Sequence, residues 1–305
     1  MKILVTGGAG FIGSHIVEHF QGKADVVILD NFRTGKKQNI KGFDYKLIEG
    51  SILDRKAVKE AVKGADYVFH MAAGISVVES MEKPVEYVQV NTEGTIIVLE
   101  EAAAAGVKKL CFSTSAACYG ENPESPKIET MKPDPLSPYA ITKLDGEYYC
   151  EMFAREGKLK TACLRYFNVF GPRQDPKSAY AAAIPIFVSR AVANSAISIY
   201  GDGEQTRDFV YVKDVVAANI FMSQNEPTGV FNVAYGRKIT ITDLVKMIIK
   251  MTNSKSKVEY KPERPGEIKH SLASIGKLLS TGFKPASDFN EGMKKTVDYF
   301  MVNIH

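Results

Sequence analysis

Cysteine is scarce in this chain: Cys111, Cys118, Cys150 and Cys163 are the whole complement. Their spacing fits no zinc motif and each sits in an apolar segment, so buried free thiols in a reducing compartment are expected, and no metal. No apolar run approaches the length of a membrane span, which argues against a membrane partner. No tract of lysine and arginine occurs, and a net charge of +4 is too mild for a nucleic-acid footprint. Internal repeats and low-complexity segments are missing too. The first residues read as a buried strand, not as a signal peptide, so a cytoplasmic location is expected.

What is present is enough apolar material for a large core: 305 residues, 45% of them hydrophobic. Up to about residue 168 strand and helix patterns alternate. The expected strands are 2–6, 25–29, 45–49, 66–70, 108–113 and 160–165. The helices between them include 54–63, 84–105 and 138–156. Alternation of this kind gives an α/β fold with a doubly wound parallel sheet and right-handed crossovers. Beyond 168 proline, glycine and loop signals increase. Val230-Phe231-Asn232-Val233 reads as one more sheet strand. The expected organisation is a dinucleotide-binding domain over 1–168, to which 212–235 return, and a smaller α+β substrate-binding domain from 169–211 and 236–305.

The glycine-rich start has the context of a phosphate cradle. Lys2-Ile3-Leu4-Val5-Thr6 is a short apolar run. It is followed by Gly7-x-x-Gly10-x-x-Gly13 and a helical stretch from Phe11 to Phe20. Gly7 and Gly10 allow a tight turn and a close approach to pyrophosphate, Gly13 allows the helix to pack on the sheet, and the helix N-terminus faces the phosphates. A second strand ends at Asp30, where a carboxylate can accept from the adenosine ribose hydroxyls. Arg33 is a mild counter-signal for a 2′-phosphate, but Asp30 would repel that group, so NAD is favoured over NADP.

Tyr139 and Lys143 lie four apart and share one face of a helix that starts at Ser137-Pro138, with serine as N-cap and proline in the first turn. A lysine beside a phenol favours the phenolate, and a phenol poised near neutrality is a useful base for an alcohol being oxidised. His70, at a strand end, reads as structural.

The chain resembles the extended short-chain dehydrogenases/reductases, and among them the UDP-glucose (UDP-galactose/UDP-N-acetylhexosamine) 4-epimerase family. The resemblance is carried over the whole length by Thr6–Gly13, His70-Met-Ala-Ala73, Val90–Thr95, Ser113–Gly120, Pro138–Lys143, Arg165–Pro172, Gly201–Asp208 and Arg264-Pro-Gly-Glu267. It implies tightly bound NAD. The contacts would come from Gly7, Gly10, Phe11, Ile12, Gly13, Asp30, Asn31, Gly35, Ile52, Ala72, Ala73, Asn91, Lys143 and Phe167. It also implies that Ser115 shares the substrate hydroxyl with Tyr139. Asn168 would hold substrate phosphate, Ser198 to Tyr200 would lie along the uracil, and Arg207 and Arg264 would grip the diphosphate. Relatives commonly dimerise through two helices per subunit, here about 84–105 and 138–156, so a homodimer is expected. Two departures stand out: Ser51 replaces an aspartate that many relatives use for adenine, and Gly74-Ile75 stands where glutamine or lysine is common.

Family members also include dehydratases and decarboxylases. Dehydratases carry an aspartate and a glutamate directly after the catalytic serine or threonine, and related decarboxylases tend to carry a glutamate at the second position. Here these positions are Ala116 and Ala117, which offer no proton donor or acceptor. The resemblance therefore implies the simplest outcome, oxidation at C4, turning of the ketone and reduction on the other face, with UDP-glucose and UDP-galactose as substrates. A position shortly after the Arg-Pro-Gly segment sets the space beside the sugar C2 substituent in relatives. Counting from Arg264 brings it to Ser271, small enough to admit N-acetylated sugars. A UDP-sugar decarboxylase, a uronate epimerase and a non-catalytic dinucleotide-binding protein remain alternatives on these residues.

Overall fold

The computed structural model describes residues 1–176, 182–263 and 269–303. The chain first lays down strands β1 (Lys2–Thr6), β2 (Asp25–Asp30), β3 (Lys46–Glu49), β4 (Tyr67–His70), β5 (Lys109–Ser115) and β6 (Thr161–Tyr166). It then passes through β7 (Asn168–Phe170), β8 (Ile197–Tyr200), β9 (Thr206–Arg207) and β10 (Phe209–Tyr211), returns to the sheet as β11 (Gly229–Val233), and continues with β12 (Ile239–Thr240) and β13 (Val258–Lys261). One seven-stranded sheet runs in the order β11-β6-β5-β4-β1-β2-β3, and every pairing in it is parallel. The order reverses between β1 and β4, the switch point at which open sheets of this type bind ligands beyond their strand ends.

Helices cover both faces. They are α1 (Phe11–His19), α2 (Arg55–Val62), α3 (Val77–Glu82), α4 (Pro84–Tyr87), α5 (Gly94–Ala104) and α6 (Pro138–Arg155), then α7 (Ala183–Val192), α8 (Val212–Gln224), α9 (Ile241–Thr252), α10 (Gly276–Ser280) and α11 (Phe289–Asn303). Alternate side chains of each strand enter opposite cores. Ile3 and Val5 join Ile16 and Val17 of α1, Phe20 at its end, and Val215 and Met222 of α8. Leu4 joins Val58 of α2, Leu99 of α5 and Phe153 of α6. The apolar strand runs of the sequence are thus buried on both sides. The expected helix over 84–105 is a continuous run interrupted by a π segment, Val88–Glu93, a feature often found at functional sites.

The rest of the described residues form three two-stranded pairs, β7 with β10, β8 with β13 and β9 with β12. Helices α7, α9 and α11 supply Val188, Leu244, Val245, Met293 and Val297 to a separate core. This is the smaller α+β part of the expected fold. Its helices were hidden in the sequence by a high density of turn residues. Thr240 starts α9 by accepting from the amide of Asp243, a cap that is readable once the helix is known.

No helix among the described residues is long and apolar enough to cross a membrane. Val77, Val78 and Met81 of α3, Val85 of α4 and Ile141, Tyr148 and Met152 of α6 nevertheless remain exposed, on helices that pack against one another.

Candidate active site

A cleft opens at the switch point. β1 is followed by Gly7, whose φ is +68° and where a Cβ would come within 2.8 Å of the Ala72 amide nitrogen. A Cβ on Gly13 would sit 2.2 Å from the Gly7 carbonyl oxygen. The two glycines therefore let the turn, the helix and the β4 loop meet backbone to backbone. α1 begins at Gly10 without a side-chain cap, so its first amide groups are available to an anion. Asp30 closes this end. Its carboxylate accepts from the amides of Ala9 (2.9 Å) and Phe32 (2.8 Å) and has lone pairs to spare; burial, partly offset by those amides, holds it above the usual carboxylate pKa. His70 bridges Thr6 (2.7 Å) and Thr95 (3.0 Å) below the cleft. Burial first and Lys143 second push its pKa down to about 3, so it is a neutral structural link, as read from sequence.

The opposite end of the cleft carries the chemistry. β5 runs into a short 3-10 turn, Ala116–Tyr119, which Ser115 caps by accepting from the Ala117 amide at 3.1 Å. α6 begins as expected, with Ser137 accepting from the Ala140 amide at 3.2 Å and Pro138 in the first turn. α6 lies close on the sheet because Gly146 has no side chain: a Cβ there would be 2.4 Å from the Phe112 ring. Tyr139 and Lys143 are thereby brought to the mouth of the strands. The Ser115 hydroxyl hydrogen-bonds the Tyr139 phenol, but burial outweighs it and pushes the phenol up to about 12. Lys143 donates to the Ser113 carbonyl at 2.8 Å, with its ammonium 6.0 Å from the centre of the Tyr139 ring, and burial brings it down to about 8. The expectation that the lysine alone poises the phenol near neutrality is corrected here: desolvation is the larger effect, and the ammonium is directed at a backbone carbonyl.

Sequence reasoning missed what stands behind this pair. Glu147, one turn after Lys143, receives Arg165 through two bonds of 2.8 and 2.6 Å and the Thr114 hydroxyl at 2.7 Å. Both charged residues are buried. The four-residue step from Lys143 was the available signal.

Gly7, Gly10, Phe11, Ile12, Gly13, Asp30, Asn31, Gly35, Ile52, Ala72, Ala73, Phe167, Ser115, Tyr139 and Lys143 all line this one cleft. Asn91 does not. Its side chain receives the Gly74 amide at 2.7 Å and donates to the Gly74 carbonyl and to Thr142, both at 3.0 Å. It fixes the cleft wall from behind, and Val90 lines the cleft in its place. Ser51 also lines the cleft, and its hydroxyl accepts locally from the Leu53 amide at 3.2 Å.

A second hollow contains Asn168, Ser198, Tyr200 and Arg207, together with Arg190, Gln205 and Lys261, which the sequence reading did not select. It shares Val169 with the first, so the two adjoin. Arg207 donates to the carbonyls of Thr206 and Lys269. Its neighbour Asp208 points inward instead and accepts from the amides of Tyr235, Gly236 and Ala273; an ordinary surface pair between the two is thereby ruled out. Ser271 hydrogen-bonds through its amide to Thr206 at 3.1 Å and lines neither hollow. Arg264 lies outside the described residues.

Residues 3–234 match the NAD dependent epimerase/dehydratase family. This chain belongs to that family. A UDP-N-acetylglucosamine 4-epimerase from Methanobrevibacter ruminantium M1, solved with UDP-N-acetylmuramic acid, is 42% identical, with a TM-score of 0.96 over 99% of both chains. The UDP-glucose 4-epimerase of Thermotoga maritima, solved with UDP-glucose, is 40% identical, with a TM-score of 0.95 over the full length of both chains. A UDP-glucose 4-epimerase of Mycolicibacterium smegmatis is 33% identical over 98% of each chain. Relatives of comparable identity include a UDP-N-acetyl-alpha-D-glucosaminuronate decarboxylase and dTDP-D-glucose 4,6-dehydratases.

The cofactor of this epimerase-family chain is NAD, and its residues fit that group. The bare glycine contacts would be filled by any Cβ, the start of α1 is uncapped, and Asp30 stands where a 2′-phosphate would be repelled. Arg33, the counter-signal, is engaged elsewhere: its guanidinium pairs with Glu79 and Glu86.

The buried lysine has a pH signature. In the unfolded chain it titrates near 10.5 and in the folded chain near 8. Between these values the unfolded state holds the extra proton, so this group makes the folded state more stable as pH rises; below about 8 its burial is a constant cost. Relative to Lys143→Met, wild type is therefore expected to gain stability across pH 8 to 10.5, read from urea unfolding at a series of pH values. A relative stability that is flat or falling over that range contradicts the buried-ammonium picture.

Proposed function

We propose that the protein is a UDP-hexose 4-epimerase that interconverts UDP-glucose and UDP-galactose, and their N-acetylamino counterparts, through a 4-keto sugar. The observation that carries this reading is the composition of the cleft around Tyr139. Among the described residues lining it, the only carboxylate is Asp30. Asp30 is on β2, three strand spacings from β5, or about 14 Å away. Ala116, next to Ser115, packs with Tyr119, Phe167, Ala234 and Ala273, and Ala117 contributes its amide to Ser115. Neither alanine side chain can protonate a leaving hydroxyl, the role the acidic residues at these two positions take when water is eliminated. The solved complexes of similar proteins with UDP-sugars support the substrate class.

In this mechanism Tyr139 takes the proton of the C4 hydroxyl and Ser115 bridges the two oxygens. Lys143, anchored on Ser113, keeps a positive charge beside them. NAD, when bound, supplies the hydride acceptor and donor and a positive ring that favours the phenolate. Arg207, with Arg190 and Lys261 in the same hollow, holds the diphosphate while the sugar turns about its anomeric bond. The ketone then presents its other face, and Tyr139 returns the proton. The reaction has no net redox change, so it needs no external oxidant or reductant.

The exposed apolar side chains of α3, α4 and α6 are the support for the homodimer reading. A stripe made by Ile141, Tyr148 and Met152, spaced seven and four along one helix, matches a helix-to-helix contact between two copies. Light scattering of the eluting protein is expected to give twice the monomer mass, and Ile141→Glu with Met152→Glu to give the monomer. A monomeric wild type at micromolar concentration disproves this arrangement.

Tyr139→Phe keeps the ring and removes the ionisable group, so epimerisation is expected to fall by at least ~100-fold, the lower end for loss of a general base. Turnover near wild type, with fold and NAD content intact, removes Tyr139 from the mechanism.

Wild type is expected to turn over both the plain and the N-acetylated pair of UDP-sugars. The family resemblance implies that Ser271→Tyr suppresses the N-acetylated pair selectively by narrowing the space at C2; because Ser271 lines neither hollow here, the added ring would have to enter that space from the wall. Product NMR on the four sugars decides it. Wild type inactive on both N-acetylated sugars, or equal loss of both pairs in the variant, sinks the assignment.

A further inference from the structure

The ion pairs of Arg33 span the cofactor cleft. Arg33 belongs to the loop after β2, whose members Thr34 and Gly35 line one lip; Gly74 and Ile75, in the loop after β4, line the other. β2 and β4 flank β1 on opposite sides, so their ends stand two strand spacings apart, about 9.5 Å. Arg33 crosses this gap. One guanidinium nitrogen reaches Glu79 of α3 at 2.9 Å, and the other pairs with Glu86 of α4.

Both ends of the bridge are built. On the near lip, Asp30 accepts from the Phe32 amide at 2.8 Å, Asn31 accepts from the Arg33 amide at 3.1 Å, and Lys36 donates its amide to Ala9 at 2.9 Å. Phe32 holds a left-handed backbone with φ of 55°, uncommon for a bulky residue, and this turns the chain so that Arg33 faces the opposite lip. On the far lip, Glu79 accepts from the Tyr87 hydroxyl at 3.0 Å, and that hydroxyl accepts from the Ser76 amide at 2.9 Å. Gly74 brings no gripping side chain, and a Cβ there would crowd the Tyr87 ring at 3.0 Å. The carboxylates of α3 and α4 are what this lip offers across the gap.

We infer that Arg33, Glu79 and Glu86 form an electrostatic clasp over the cleft that slows the escape of NAD, a retention device separate from the chemistry at Tyr139. It deepens the cofactor assignment. The three residues act by closing the exit, so they are positioning residues.

The test is the rate at which NAD leaves the purified holoenzyme, followed by trapping released NAD with an excess of an NAD-consuming dehydrogenase. Two partly exposed ion pairs together correspond to about a 3- to 30-fold change. Arg33→Ala is expected to release NAD faster by that factor and Glu86→Gln by a smaller one. Their combination should not exceed Arg33→Ala alone. Wild-type release should accelerate between low and high salt, because exposed ion pairs are screened, while Arg33→Ala should lose most of that salt dependence. Arg33→Lys, which keeps charge without the fork, should fall between. Glu86→Gln leaves the Tyr87–Ser76 support of Glu79 untouched, so a folding defect at that support cannot mimic the result. Equal release rates in wild type and Arg33→Ala overturn the clasp. So does faster release in Arg33→Ala with Glu86→Gln and Glu79→Gln unchanged, which would make Arg33 a direct ligand of the cofactor.

Discussion

The buried pair of Arg165 and Glu147 is the contact on which the reactive end of the molecule depends. Two charges taken out of water cost several kcal/mol each, and their attraction repays this only when geometry is good and other bonds complete the shell. Here the geometry is bidentate, with the Thr114 hydroxyl on the same carboxylate and the Tyr119 ring 4.7 Å under the guanidinium, while the remaining nitrogen, Arg165 Nη1, is buried without a hydrogen-bond partner. The pair joins three elements: β6 through Arg165, α6 through Glu147 and the tip of β5 through Thr114. Thr114 lies between Ser113, which anchors Lys143, and Ser115, which holds Tyr139. Removing one partner would leave the other charge uncompensated, a loss of about 3–5 kcal/mol located directly behind the reacting groups.

A second constraint is the contact of bare backbone at the other end. Gly7, Gly13 and the loop after β4 touch without side chains between them. That contact sets the depth of the cleft and aims the start of α1 into it. The two constraints lie on either side of the switch point, so the sheet holds them at a fixed separation. An extended molecule laid between them meets amide donors at one end and the phenol at the other.

Burial governs the electrostatics of the site more than any single charge does. Tyr139 is raised to about 12 and Lys143 lowered to about 8 by the same desolvation. Each group is pushed toward its neutral form, so the proton they manage is poised by whatever charge enters with cofactor and substrate.

The strands, the glycine cradle and most of the residues that line the cleft were legible in the sequence, since apolar runs, glycine spacing and an N-cap act over a few residues. Ser137-Pro138 started α6 in the sequence and in the structure, and Val230–Val233 lay within the edge strand pairing with β6. Matters that depend on distant partners were settled by the folded chain. Asn91 turned out to serve the wall behind the cleft, because Gly74 and Thr142 take its bonds. Arg33 was directed to carboxylates 46 and 53 residues away. The phenol rose where a neighbouring lysine alone would have lowered it, because the cost of burial is set by everything packed around a group, and local spacing does not record that.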